Sequence, residues 1–118
     1  MSGDPIDDRV HRRLDDLAHF AADAAYTVSL GRDRYLEHSS AGRVLRNNGR
    51  QIVIQIATVV EKLPAEFKDA RSHIDWIRIA RMRNLIAHHY DGVDDRLVFS
   101  ALEHRIPELA RALGLTDS

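Results

Sequence analysis

SSAGRVLRNNGRQIVIQIATVVEKLP, residues 39–64, holds the one run that suits two kinds of secondary structure. Ile52-Val53-Ile54-Gln55-Ile56 has the β-branched density of a strand. It lies, however, inside an uninterrupted apolar line, Leu45, Ile52, Ile56, Val59 and Leu63, that is far longer than a normal strand. Ser39-Ser40 can cap a helix at the start of this run, and Pro64 closes it. A helix here removes the only strand candidate and makes the chain all-α.

The flanking segments agree. Upstream, Val10, Leu14, Leu17, Ala21, Ala24 and Val28 form a helical stripe that stops near Gly31, and Asp4-Pro5 is an N-terminal start signal. Residues 32–40 and 64–73 read as polar connectors. A third helix is expected from about Ile74 to Tyr90, stopped at Asp91-Gly92. A fourth is expected over roughly 97–113 on Leu97, Ala101, Leu102, Leu109 and Leu113, with a kink or break at Pro107 and a stop at Gly114. The expected architecture is an antiparallel up-and-down bundle of four principal helices, one domain over residues 1–118. The surplus of aliphatic positions points to a two-fold dimer.

Composition narrows the class. The chain has 118 residues, 44% hydrophobic and 30% charged, which excludes intrinsic disorder and collagen-like repeats. It has no cysteine, so disulfides, thiolate chemistry and Cys-based zinc sites are removed together. No apolar run approaches a membrane span, and the acidic start, Met1 to Asp8, shows no leader pattern. A cytoplasmic protein without membrane contact is the expectation. The net charge of −1 is uneven: residues 43–90 carry nine Lys and Arg against four acids, between two acidic ends. Arginine dominates the cations, and its planar fork suits phosphate. A basic centre points weakly to an anionic ligand, and from charge alone solvated helix faces are the better explanation.

Phosphate loops, His-Glu-x-x-His and Gly-x-Ser-x-Gly are absent. Asp7-Asp8, Asp15-Asp16 and Asp94-Asp95 are adjacent pairs that diverge by about 100° on a helix, which suits solvated charges better than a catalytic dyad. His11, His19, His38, His73 and His104 have no ligand spacing. Neither a metal nor a cofactor is expected. The end of the third helix differs, because Arg83, Asn84, His88, His89 and Tyr90 concentrate there. Arg83 can hold a phosphate and neutralise charge developing on it. His88 can exchange a proton near neutral pH, and Asn84 can donate to an oxygen or orient the imidazole. Together they suit RNA cleavage by the ribose 2′-hydroxyl without metal. Arg83 and His88 nevertheless point about 140° apart on an ideal helix, so one helix does not focus both on one phosphate. A loosened helix end or a second subunit does. The alternative is structural, with Arg83 and Asn84 capping carbonyls and the histidines on the surface.

Arg83-Asn84-Leu85-Ile86-Ala87-His88-His89-Tyr90 resembles the Arg-x4-His-x-Tyr signature of HepT-like proteins, the DUF86 group of the HEPN superfamily. Ala41 to Asn47, Leu63-Pro64, Trp76 seven residues before the arginine, and Tyr90-Asp91-Gly92-Val93-Asp94 extend the likeness over most of the chain. The resemblance implies a dimeric helical bundle and a ribonuclease toxin with Arg83 and His88 as its catalytic pair. It also implies a minimal nucleotidyltransferase antitoxin that transfers AMP to the position of Tyr90. The chain departs from the family in helix two, where many relatives carry Gly-Glu-Ala and Gln55-Ile56-Ala57 stands here. His89 is a second histidine inside the motif and is assigned to surface or RNA contact. Two other readings fit the same residues: a non-catalytic nucleotide- or RNA-binding partner of a nucleotidyltransferase, and a helical adaptor.

Overall fold

Residues 52–56 are helical. In a computed structural model, which describes residues 5–115 and the side chains from residue 8, the order is α1 (Pro5–Ser29), α2 (Arg32–Tyr35), α3 (Ser40–Glu61), α4 (Ala65–Asp69), α5 (Trp76–His88), α6 (Asp95–Ser100), a π-helical turn (Ala101–Arg105) and α7 (Ile106–Ala112). No strand occurs among the described residues, and no described helix is long and apolar enough to cross a membrane. The expected all-α bundle is thus present. Asp4, the proposed cap of α1, lies outside the described residues.

Helix α3 is the central element and packs on α1, α5 and α6. The Ser39 side chain accepts from the Gly42 N–H at 3.0 Å, so the cap is where the serine pair placed it. Ile52, Val53, Ile56, Ala57, Val59 and Val60 are buried on several sides, which explains the strand-like density. A helix covered by three neighbours needs apolar residues around most of its circumference. The α1 stripe is also in the core, with Leu17 and Ala24 fully covered.

Three expectations need correction. Residues 32–40 are not a simple polar connector: they include α2, and Tyr35 is wholly buried against Phe99, ring centroids 5.0 Å apart. Gly49 in α3 makes room for it, since a Cβ there would overlap the Tyr35 hydroxyl and approach its ring at 2.9 Å. Leu97 is not core; it is 62% exposed, because α6 starts at Asp95 and turns that position outward. Pro107 neither breaks nor sharply interrupts the last helical run. The preceding turn widens instead, with the Ile106 N–H bonded to the Ala101 carbonyl, and Pro107 sits in the first turn of α7, where its missing N–H is least needed. Gly114 (φ 72°) then ends α7, and the Leu115 N–H closes onto the Ala110 carbonyl at 2.8 Å.

Candidate functional site

Helix α5 is anchored at its N-terminal end. Asp75 caps it through the Arg78 N–H at 3.0 Å, and the Trp76 indole donates to the Lys68 and Arg71 carbonyls at 3.1 and 3.2 Å. Ile86 is buried, with Trp76, Ile79 and Met82 half-buried on the same side, so a single stripe fixes the helix rotation. That rotation decides where the motif points. Arg83 lies at the edge facing α3 and donates through Nη1 to Glu61 Oε2 at 2.8 Å. Asn84, His88 and His89 are exposed, and their side chains make no hydrogen bond among the described residues. Asn84 therefore does not orient His88, and Arg83 and His88 diverge as the helical spacing requires. No loosening of the helix brings them together, since His88 is its last residue and the His89 N–H still bonds to the Leu85 carbonyl at 3.1 Å.

Tyr90 stands in a different environment. It is half-buried, with the Arg50 guanidinium 4.9 Å from its ring centroid and its hydroxyl 3.5 Å from the Asn47 carbonyl. Arg50 in turn grips Asp95 with two hydrogen bonds, Nε to Oδ1 at 2.8 Å and Nη2 to Oδ2 at 2.5 Å. Arg46 approaches the same carboxylate at 4.0 Å and donates to the Tyr35 and Glu37 carbonyls at 3.1 and 2.7 Å. The hydrogen bond to Asp95 raises the Arg50 pKa, which keeps the guanidinium charged beneath the tyrosine. Tyr35 completes this group from below. Burial, with the Asp95 charge adding to it, pushes its phenol above the ordinary tyrosine value, and its hydroxyl has no hydrogen-bond partner.

Sequence reading missed four of these residues. Asp95 is a nearly covered ion-pair acceptor and not a solvated charge, while Asp94 caps α6 through the Arg96 N–H at 3.0 Å. Arg50 and Glu61 meet partners 45 and 22 residues away, and no local spacing signals that. Glu61 also supplies a carboxylate to Arg83, which the Gln55-Ile56-Ala57 segment does not. Tyr35 had a usable signal, an aromatic residue in an otherwise polar stretch.

His88, His89 and Tyr90 line an open cleft with Asp91, Asp94 and Leu97. It continues past Leu85 and Val93 into a second groove along α5. Among the described residues no three His, Asp or Glu side chains converge as a metal-binding set.

Residues 36–114 match the protein family described as "Ribonuclease HepT-like". Among curated proteins, the chain is 38% identical over 56 residues to a "Putative RNase" of Caldanaerobacter subterraneus subsp. tengcongensis, covering 48% of this chain and 50% of that one. It is 35% identical over 54 residues to a "Probable ribonuclease HepT" of Thermococcus cleftensis, covering 46% and 49%. A "Gamma-glutamylcyclotransferase and putative RNase" of Methanocaldococcus jannaschii matches at 35% over 54 residues, 46% of this chain and 24% of that protein. The chain thus spans about half, or less, of the length of these relatives. No solved structure matches at the same stringency.

Proposed function

The chain belongs to the HepT-like ribonuclease family, and on that premise we propose that it is, as one domain, a metal-independent RNA endonuclease and the toxin of a toxin–antitoxin pair. One observation carries this: α5 presents Arg83, Asn84 and His88 in its C-terminal half, where among the described residues their side chains find no hydrogen-bond or ion-pair partner except Glu61. Polar groups that the fold leaves exposed, with His88 lining a cleft and only Arg83 bonded within the chain, are available to a ligand.

The reaction follows from the residue types. The ribose 2′-oxygen forms a bond to its own phosphorus while the bond to the 5′-oxygen breaks. His88 takes the 2′-hydroxyl proton or delivers a proton to the departing 5′-oxygen. Arg83 holds the phosphate as its charge builds, a role worth several kcal/mol in comparable sites, about 3–4. Since Arg83 and His88 point apart within one chain, the working site pairs Arg83 of one copy with His88 of a second in a homodimer. Asn84 donates to a phosphate oxygen, and no cofactor takes part. Tyr90 is the acceptor through which a minimal nucleotidyltransferase silences the toxin: its oxygen attacks the α-phosphate of ATP, pyrophosphate leaves, and a tyrosyl–AMP phosphodiester fills the cleft beside His88. The protein acts in the cytoplasm.

Incubation of the purified chain with end-labelled RNA in the presence of EDTA tests this. Cleavage leaving 2′,3′-cyclic phosphate or 3′-phosphate ends, and lost in both Arg83→Ala and His88→Ala, is expected. Intact RNA with all three proteins overturns it. The divergence of Arg83 from His88 favours one alternative, a non-catalytic RNA- or nucleotide-binding partner of the nucleotidyltransferase, for which RNA is bound and recovered whole.

A further inference from the structure

Between α5 and the run from α6 through the π-helical turn lies a groove of about 310 Å³. Its floor is apolar, built from Met82, Leu85, Val98 and Ala101, and its charged lining residues are Arg78, Arg81 and Arg105, with no carboxylate among them. The Arg78 and Arg81 side chains are exposed and make no ion pair or hydrogen bond among the described residues. Arg105 reaches only Glu108, at 4.0 Å. The groove shares Leu85, Val93 and Leu97 with the cleft of His88, His89 and Tyr90, so the two adjoin and can be followed as one channel. Arg81 and His88 are seven residues apart on α5, two turns along the same face and about 10 Å apart along the axis.

We infer that this channel is the track for a single strand of RNA, with Arg78, Arg81 and Arg105 holding backbone phosphates that flank the one presented to His88. Guanidiniums above an apolar floor match such a strand: the phosphates take the cations and the base faces cover the apolar surface. A second copy of this chain matches less well. Centred on a two-fold axis the groove would meet itself, and three arginines would face three arginines with no lining carboxylate between them. The assignment also divides labour between the arginines: Arg83, tied to Glu61 on the α3 side, is the charge stabiliser, and the groove arginines are the grip. That the strand is RNA rests on the ribonuclease reading above.

The test measures binding apart from cutting. Fluorescence anisotropy with a fully 2′-O-methylated oligonucleotide, which the 2′-hydroxyl mechanism does not cleave, is recorded from about 50 to 200 mM salt, the range in which counterion release is large. The triple variant Arg78→Ala, Arg81→Ala, Arg105→Ala is expected to bind at least about tenfold more weakly, with the salt slope reduced by about 2 for three lost contacts. On cleavable RNA the triple variant raises KM and leaves kcat, whereas His88→Ala lowers kcat. Because all three side chains are exposed, the variant keeps the wild-type melting temperature. Wild-type affinity and slope in the triple variant overturn the inference, whether or not the protein cleaves RNA. A changed oligomeric state in ultracentrifugation, with RNA binding intact, overturns it in favour of a subunit contact. Weakened binding with no cleavage by the wild type leaves the track standing and removes the nuclease.

Discussion

Beneath Tyr90 the protein is closed and its charges are paired, while on the adjoining outer face of α5 it is open and its charges are exposed. Under the tyrosine, Arg50 and Asp95 are bonded twice, Arg46 braces both the carboxylate and two carbonyls, and Tyr35 fills the space that Gly49 leaves. On α5 and its cap, Arg78, Arg81, Asn84, His88 and His89 are exposed, and their side chains make no hydrogen bond or ion pair among the described residues. The contrast separates scaffold from site. Distant residues tie α3 to α6 and so hold the turn that carries Tyr90, and the groups proposed to meet a phosphate are left without competitors among the described residues. Glu61 on Arg83 is the exception.

The strongest way to break this division is to remove the acid under Tyr90. Asp95→Ala leaves Arg46 and Arg50 facing each other without a carboxylate, in a site where the Arg50 and Asp95 side chains are 12% and 16% exposed. A loss of about 3 kcal/mol is expected, the lower end for breaking a covered pair, read by urea unfolding. If stability were unchanged, the Tyr90 turn would be held by something other than this cluster. Gly49→Ala follows at about 2 kcal/mol, because its methyl must displace the Tyr35 ring from a closed core. Tyr35→Phe in the same chain is expected to return part of that loss by removing the hydroxyl, the nearest atom to the new methyl.

Tyr35→Phe alone sharpens the comparison, and its sign is opposite. The hydroxyl is buried without a partner, so its removal is neutral or stabilising, by up to about 1 kcal/mol. It also changes the alkaline limb of stability. An unfolded tyrosine loses its proton from about pH 10, whereas the folded phenol, desolvated by burial and facing Asp95, holds its proton to higher pH. The unfolded state thus binds fewer protons above pH 10, and stability falls as pH rises beyond that point. Melting temperatures between pH 9 and 11 should show that fall in the wild type and a shallower one in the phenylalanine variant.

The same division explains what the sequence allowed to be read. Helices α1, α3 and α5 were legible because each carries a periodic apolar stripe, and the caps at Ser39 and Gly114 are local signals. Arg83, Asn84, His88 and Tyr90 were found as a cluster at one helix end, and their divergence followed from helical geometry alone. The partners of Arg50 and Arg83 were not legible, since an ion pair across 45 or 22 residues has no local pattern. Nor was the role of Leu97, where one apolar residue at a helix start says nothing about which face the helix turns outward. Arg78 and Arg81 were visible only within a charge excess, and Arg105 not even there, since it lies in an acidic end, until α5 and the π-helical turn placed the three around one groove.

The smallest expected effect concerns the exception, Glu61. Its bond to Arg83 is short, but the side chains are 63% and 36% exposed, and exposed pairs of this kind contribute about 0–1 kcal/mol. Glu61→Ala should therefore leave the melting temperature within about 4 °C of the wild type. Its effect on RNA should be larger in proportion and opposite in direction to that of Arg83→Ala. A phosphate reaching Arg83 shares the guanidinium with the Glu61 carboxylate, so losing Glu61 frees one donor and removes a negative charge near the incoming strand. Tighter binding of the 2′-O-methylated oligonucleotide, by up to about fivefold for 1 kcal/mol, is the expected result. In the Arg83→Ala background the gain from Glu61→Ala should shrink, because only the general charge remains. An equal gain in both backgrounds would show that Glu61 repels RNA without competing for Arg83. A loss in place of a gain would make the carboxylate a support that holds the guanidinium ready, and the one internal contact of the open face would then belong to the site.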